Sequence, residues 1–170
     1  MVNTCLQFDG VNDYVGIGSP ANLMALTYPL TFEFWAKPNT LAQNAVILHF
    51  LPTDANSNLA IGFYTTLDKI FVGRVTYKYG LSGISTYLTA EQWQHWVIVF
   101  TDTTHISFYL DGEEQTLSDV FNYWSATGAN IRIGERADTE SFEGSIDEVR
   151  IYNRALGIEE IKKHYALKFS

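Results

Sequence analysis

The sequence predicts an all-β protein, a two-sheet antiparallel sandwich carrying one short C-terminal helix. Three observations lead there. Apolar residues alternate with period two along nearly the whole chain, a 3.6-residue period is confined to its end, and turn-forming residues interrupt the apolar runs at short intervals. The elements follow in order. Leu6 and Phe8 flank Gln7, and Val15 and Ile17 flank Gly16. Phe32, Phe34 and Ala36 alternate with Thr31, Glu33 and Trp35. The run Ala45 to Leu51 is apolar except for His49, which predicts a strand covered on both faces. Ile61 and Phe63 follow, and then Phe71, Val75, Tyr77 and Tyr79 share a face opposite Arg74, Thr76 and Lys78. Trp96 to Phe100 is a second continuous run. Ile106, Phe108 and Leu110 lead through Asp111-Gly112, a tight-hairpin signal, to a predicted partner strand at Gln115–Leu117. Ile131 and Ile133 form a short strand, and Phe142 to Tyr152 the last and longest. Pro20, Pro29, Pro38 and Pro52 all fall at predicted strand ends, where a missing backbone donor does little harm. The helix is expected over Ile158 to Tyr165, with Ile158, Ile161 and Tyr165 as its sheet-facing stripe and the acids Glu159 and Glu160 ahead of Lys162 and Lys163.

Size and composition narrow the function classes. A chain of 170 residues fits a single domain, expected over 1–170. At this length folding buries roughly 70% of the unfolded chain's surface, enough for a core without staples. Aromatic residues at 15% exclude a disordered tail, and one cysteine excludes a disulfide framework or a cysteine-built zinc site. A net charge of −8 argues against nucleic acid as a partner, because duplex binding consists largely of neutralising phosphates. No apolar run approaches the ~20 residues that span a bilayer, so membrane insertion is not expected. The opening Met1-Val2-Asn3-Thr4-Cys5 does not read as a secretory leader. That leaves a trimmed chain, export by another route, or retention inside the cell.

Asp147 stands out on physical grounds. It shares parity with Val149 and Ile151, whereas Glu148, Arg150 and Tyr152 take the other parity and read as solvent-facing. A carboxylate on an apolar parity needs compensation. The apolar parity also shifts after Ile146, which predicts a β-bulge near Asp147. The compensation is either a bound calcium ion, with backbone carbonyls as further ligands, or backbone hydrogen bonds and an arginine such as Arg132.

Several blocks resemble the laminin G-like domains of the concanavalin A-like lectin/glucanase superfamily. Leu6-Gln7-Phe8-Asp9-Gly10 with Asp13-Tyr14-Val15 resembles their opening. Leu30 to Pro38 resembles an early core strand, Gln92 to Val97 the stretch that opens a central strand, and Ser107 to Gly112 the hairpin after it. Ile131-Arg132-Ile133-Gly134 is similar to the next strand, Phe142 to Leu156 is the most specific block, and Glu159-Glu160-Ile161 resembles the closing helix. The resemblance spans nearly the whole chain. It implies a jelly roll of two packed antiparallel sheets, non-catalytic recognition of glycans or glycoproteins, and a structural calcium ion. It implies Asp147 as a ligand through side chain and carbonyl, with Asp9 second, because first and last strands neighbour each other in such folds, and Asp13 third. The competing reading of Asp9 is a turn acid that caps backbone donors before Gly10. One departure is Gly157, at the N-cap place where many relatives carry Ser or Thr, so a late or frayed helix start is expected.

Ligand-binding candidates come from residue chemistry. Sugar sites join aromatic planes to amide, acid or guanidinium groups. Asn122, Tyr123 and Trp124 offer both in a polar, glycine-bounded stretch, unless Trp124 folds back over a sandwich end. Arg74 and Tyr79, with Thr76 and Lys78, form a second candidate set, for which a solvated strand face is the favoured reading. Trp35, Trp93 and Trp96 read as core, His49 as a buried core histidine, and Cys5 as a small packing residue. Retaining glycosidases need carboxyl groups about 5–5.5 Å apart, which on one strand means acids two residues apart. The Glu-x-Asp-x-Glu of related glucanases is not present, and Glu33 stands alone in its strand. The expected function is therefore a non-catalytic carbohydrate- or glycoprotein-binding module with calcium, outside the cell or on a cell or virion surface. The alternative is a structural or adhesive component of a virion, fibre or extracellular assembly that binds protein, and the third reading is a glycoside hydrolase or lyase.

Overall fold

Burial of alternate side chains brings two six-stranded antiparallel sheets face to face. The computed structural model describes residues 4–18, 27–51, 59–65, 68–73, 80–82, 87–102, 105–116, 130–136 and 140–167. In chain order the strands are β1 (Leu6–Asp9), β2 (Val15–Gly18), β3 (Leu30–Pro38), β4 (Ala45–Leu51), β5 (Leu59–Tyr64), β6 (Lys69–Gly73), β7 (Gly80–Ser82), β8 (Gln94–Phe100), β9 (Ile106–Leu110), β10 (Glu113–Gln115), β11 (Asn130–Ile133), β12 (Glu135–Arg136), β13 (Glu140–Ser141) and β14 (Glu143–Tyr152). Helix α1 (Ile158–Leu167) follows. The first sheet has the order β1-β14-β3-β8-β9-β10, the second β2-β11-β4-β5-β6-β7, and β12-β13 is a separate pair. The expected antiparallel jelly-roll sandwich with a short C-terminal helix is the observed architecture.

The inner faces interlock around phenylalanine. Phe32 packs at 5.0 Å from Phe50 of the opposite sheet and edge-on to Phe100 at 5.5 Å. Trp96 lies between Phe34 and Phe108, both at 5.6 Å. Offset and edge-on pairs at these distances are the arrangement that aromatic quadrupoles favour. Residues 45–50 are buried on both faces, as the unbroken apolar run predicts. Two boundaries differ from expectation. Asp111 and Gly112 adopt left-handed φ values of 52° and 80°, so the loop closes in two residues and β10 begins at Glu113 rather than Gln115. The last strand begins at Glu143, because Glu140–Ser141 pairs instead with Glu135–Arg136.

Over β3 and β8 the first sheet is dry on its outer face too. Thr31, Glu33, Trp35, His95, Val97 and Val99 point away from the sandwich interior, yet all are buried. Helix α1 accounts for this. Ile161, fully buried, packs with Leu156, Val97, Val99 and Tyr109, and Tyr165 stacks on Trp35 at 5.8 Å and 14°. Burying one such isoleucine contributes roughly 1.5–3 kcal/mol. Trp35 is therefore core, but of this second, smaller layer. Trp96 lies between the sheets, and Trp93 is half-buried with Lys37 over its ring. The link into the helix is pinned by Thr31, whose hydroxyl donates to Arg154 O at 2.8 Å and accepts from Leu156 N at 3.1 Å. The helix starts at Ile158 without delay. Gly157 O accepts from Glu160 N and Ile161 N, and the Arg154 guanidinium clamps Glu160 with two bonds of 2.6 and 2.7 Å.

Glu33 is the polar centre of this layer. Its Oε1 lies 2.8 Å from His95 Nε2 and 3.0 Å from His164 Nδ1, Tyr152 Oη donates to Oε2 at 2.7 Å, and Arg150 approaches to 3.6 Å. Arg150 and Tyr152 thus turn toward Glu33, not simply to solvent, and His164 reaches inward from the helix. Burial alone would raise the Glu33 pKa, but the hydrogen bonds from His95 and Tyr152 and the charge of the histidines outweigh it and hold the carboxyl below its ordinary value. Burial, reinforced by Glu33, pushes Tyr152 up to about 12. Because the folded carboxyl is the stronger acid, its contribution is complete above the ordinary value of 4.5 and is lost as pH falls through the lower folded value. Glu33→Gln should cost about 3 kcal/mol, since it removes one partner of a buried ionic cluster. For a chain of this size that is a fall in Tm of about 10 °C near neutral pH. Melting curves from pH 3 to 7 should show this gap between wild type and variant closing below pH 4.5.

Candidate functional site

A polar cleft opens where three short segments meet. It is lined by Gly10 and Val11 from the β1–β2 turn, Gln43 and Asn44 before β4, and Arg136, Glu140 and Ser141 of the β12–β13 pair, and holds about 550 Å³. The turn is shaped by its acids. Asp9 Oδ1 accepts from Val11 N at 2.8 Å, and Asp13 Oδ2 accepts from Asp9 N at 3.0 Å. These are the self-satisfied loops that Asp favours. Ser141 Oγ donates to Val11 O at 3.0 Å and ties the turn to β13.

Glu140 is the chemical centre of the cleft. Its carboxylate accepts from Arg136 Nη1 at 2.9 Å and from the hydroxyl of Tyr64. Tyr64 is buried with Val46, Ala60 and Phe71 on the outward face of the second sheet, its ring edge-on to Phe71 at 4.4 Å. Burial, and then Glu140, push the Tyr64 phenol far up, so it remains a proton donor to the carboxylate. Thr65 Oγ1 lies 3.1 Å from Asn44 Oδ1. The cleft thus presents a fixed carboxylate, a guanidinium and two amides, groups suited to vicinal hydroxyls.

A smaller groove of about 350 Å³ is lined by Tyr14, Gly16, Gly18, Asn130, Ile131 and Arg132. The Arg132 guanidinium sits 4.4 Å from the centre of the Tyr14 ring and donates to Glu135 Oε2 at 3.0 Å.

Of the residues expected from sequence, the structure places Asp9 and Asp13 together in the turn and Asp147 elsewhere. The β1–β14 register pairs Leu6 with Ile146 and Asp9 with Glu143. Asp147 therefore falls opposite Cys5, four residues from Asp9, or about 13 Å along the strand. First and last strands are neighbours as anticipated, but their register keeps Asp147 and Asp9 from sharing one ion at ligand distances of about 2.3–2.6 Å. The predicted bulge is present between Asp147 and Arg150, with Glu148 at a left-handed φ of 54°. It corrects the parity reading. Asp147 pairs with Trp35 on the outward face, while Val149 and Ile151 turn to the core. The half-buried Asp147 carboxylate accepts from Glu148 N at 2.9 Å. Among the described residues no three His, Cys, Asp or Glu side chains are grouped to hold a metal. Arg74, Tyr79, Asn122, Tyr123 and Trp124 lie outside the described residues. The cleft residues were not singled out in the sequence. The available signal was Glu135-Arg136 with Glu140, a knot of charge in a chain only 18% charged.

The fold is an antiparallel β-sandwich of two six-stranded sheets. The chain belongs to the Laminin_G_3 family of the concanavalin A-like lectin/glucanases superfamily, whose model matches residues 9–162. No curated protein sequence matches it significantly. Among solved structures it is similar to domain 4 of AbnA, an extracellular GH43 arabinanase from Geobacillus stearothermophilus in complex with arabinotriose. The two are 18% identical with a TM-score of 0.63, over 95% of this chain and 81% of that one. It is also similar to Trypanosoma rangeli sialidase bound to 2,3-difluorosialic acid, at 17% identity and TM-score 0.71, over 99% of this chain but 28% of the sialidase. A structure of NanB with Optactamide matches at 19% identity and TM-score 0.68, over 94% of this chain and 27% of that one. At such identities these likenesses show a shared fold.

Gly10 makes the rim of the cleft possible. At φ +78° an added Cβ would meet Glu143 Cβ at 2.8 Å and Gln43 Nε2 at 3.2 Å. Gly18 has a similar φ of +73° with nothing within 4 Å, and so serves as the control. Both alanine variants should lose roughly 1–3 kcal/mol for the left-handed backbone. Chemical denaturation should show Gly10→Ala losing more than Gly18→Ala, and the difference measures the collision at the rim.

Proposed function

We propose that this protein is a non-catalytic carbohydrate- or glycoprotein-binding module whose ligand enters the cleft around Glu140. The observation that carries the reading is the Tyr64–Glu140–Arg136 arrangement, a carboxylate immobilised by two donors and flanked by Gln43 and Asn44. Preorganised groups of this kind bind polyols without an added ordering cost. Membership of a lectin and glucanase superfamily supports it, as do the arabinotriose and sialic-acid ligands of the structural neighbours. A non-catalytic role is supported by the cleft itself. Among its described lining residues Glu140 is the single carboxylate, whereas most retaining and inverting glycosidases, sialidases excepted, use two. Among the described residues no helix is long and apolar enough to cross a membrane. The reading carries an extracellular, cell-surface or virion-surface setting with it. A glycan array followed by calorimetry tests the proposal. Wild type should select a small set of glycans, and Glu140→Gln should weaken the best of them about tenfold, or ~1.4 kcal/mol. Absence of any glycan binding would overturn the reading and favour the adhesive alternative. Hydrolysis of a polysaccharide panel would favour the enzyme.

Calcium is the second part of the proposal, with Asp147 as its side-chain ligand and Asp9 with Asp13 as the other candidate pair. Glu148 and Val149 drop out of the β3 ladder at the bulge, which supports backbone oxygens as further ligands. Since the described residues hold no group of three His, Cys, Asp or Glu side chains placed to take a metal, most of the six to eight oxygens would be carbonyls and water. An ion bound only to the native state raises its stability by mass action. Added calcium should therefore raise Tm over an EDTA-treated sample, and Asp147→Asn should abolish that increment. An unchanged Tm in both conditions removes the ion from the proposal.

A further inference from the structure

The cleft around Glu140 and the groove beside Tyr14 have no lining residue in common but are linked through the β1–β2 turn and Glu135. Both face outward from the second sheet. Arg132 pairs in register with His49 of β4, while Asn44 of the cleft immediately precedes Ala45, the first residue of β4. From His49 to Asn44 is five residues, a span of roughly 15 Å along the strand. Glu135 joins the two sites. It is buried, takes the Arg132 guanidinium at 3.0 Å, and pairs in register with Ser141 of the cleft. The turn that supplies Val11 to the cleft supplies Tyr14 to the groove three residues later.

Each end is built for a different part of a sugar chain. The cleft offers polar groups and little apolar surface. The groove offers an aromatic plane. Tyr14 is 49% exposed, so its ring is open to a partner, yet it is not loose. Arg132 lies against it, and Arg132 is in turn held by Glu135. Gly16 has no side chain to displace the Tyr14 ring, whose Cε2 lies 3.5 Å from where a Cβ would sit, and Gly18 opens on free space, with nothing within 4 Å of a Cβ there. Asn130 adds an amide at the far side. A pinned aromatic ring stacks on a ligand with little conformational entropy left to lose.

Charge then narrows the ligand. The tract contains two arginines, and each is matched by a carboxylate, Arg132 by Glu135 and Arg136 by Glu140. No arginine of the tract is left unmatched, Asp9 and Asp13 of the intervening turn add negative charge, and the whole chain carries −8. An anionic sugar would meet no net attraction at short range and repulsion at long range. Hydroxyl groups, by contrast, exploit ion-paired side chains as donors and acceptors without a charge of their own.

We infer that cleft and groove are consecutive subsites for a linear, neutral oligosaccharide. The inference rests on the carbohydrate-binding reading above and specifies its ligand class. Calorimetry should use neutral ladders from mono- to hexasaccharide, α-1,5-arabino-oligosaccharides and those of the best glycan on the array, with sialyllactose and oligogalacturonates as acidic counterparts. Affinity for the neutral ladder should rise with chain length until both subsites are filled, with little dependence on salt. Tyr14→Ala removes the platform, and Gly16→Leu keeps the strand and fills the groove. Both should lower affinity for the longest oligomer about tenfold or more and leave the monosaccharide unchanged, with melting curves to verify the fold. Two results would overturn the inference while leaving carbohydrate binding intact. One is wild-type affinity in both variants at every length. The other is preference for an acidic glycan with steep salt dependence. If no saccharide of either kind binds, the parent reading fails and this one falls with it.

Discussion

The structure depends on the exclusion of water from both faces of the first sheet. A sheet in a simple sandwich needs one apolar face and can leave the other wet. Here α1 closes the second face over β3 and β8, and every outward side chain from Thr31 to Trp35 is buried. An ionisable group in that layer cannot turn to solvent, so it must be answered by side chains. Glu33 is answered by His95 from β8, Tyr152 and Arg150 from β14, and His164 from the helix. The carboxylate therefore links the helix and all three central strands of the sheet. It supplies direction to a contact that Ile161, Leu156 and Tyr165 supply with area.

Covering the first sheet with its own helix leaves the proposed binding clefts on the other side of the molecule. The helix side is occupied by the chain itself, while the clefts open around the edge strand β2, the β1–β2 turn and the β12–β13 pair. These are short segments, and short segments can be reshaped without disturbing the phenylalanine core beneath them. They are nevertheless stiff. Asp9 and Asp13 saturate the turn's own donors, and Ser141 anchors it across 130 positions of sequence.

What could be read from sequence, and what could not, follows from the range of the interactions. Strands were legible because alternation is local, as in Phe32, Phe34 and Ala36. The bulge was legible because apolar parity visibly shifts after Ile146. Its consequence was not, since parity counted through Glu148 assigns Asp147 to the wrong face. The Glu33 cluster was invisible for a different reason. His95 lies 62 positions from Glu33 and His164 131 positions. No local pattern announces a partner at that separation, and a lone acid beside Trp35 reads as an isolated polar residue. The cleft was not legible because aromatic residues in a polar stretch point to Asn122, Tyr123 and Trp124. The observed cleft instead gathers two amides and an ion pair from three segments, and its one aromatic contributor, Tyr64, gives only its hydroxyl.

The same economy of charge recurs in both layers. Glu33 is balanced by histidines and Arg150, Glu135 by Arg132, and Glu140 by Arg136. A protein with a net charge of −8 that neutralises its buried acids internally keeps its excess negative charge on exposed positions. Such a distribution opposes anionic partners at a distance and leaves the recessed surfaces rich in fixed dipoles. On the proposed carbohydrate reading, recognition there draws on matched directions of donors and acceptors rather than on charge attraction, which suits ligands that present many hydroxyls on a rigid ring. Each internal ion pair contributes by holding a charged side chain as a directional hydrogen-bonding group.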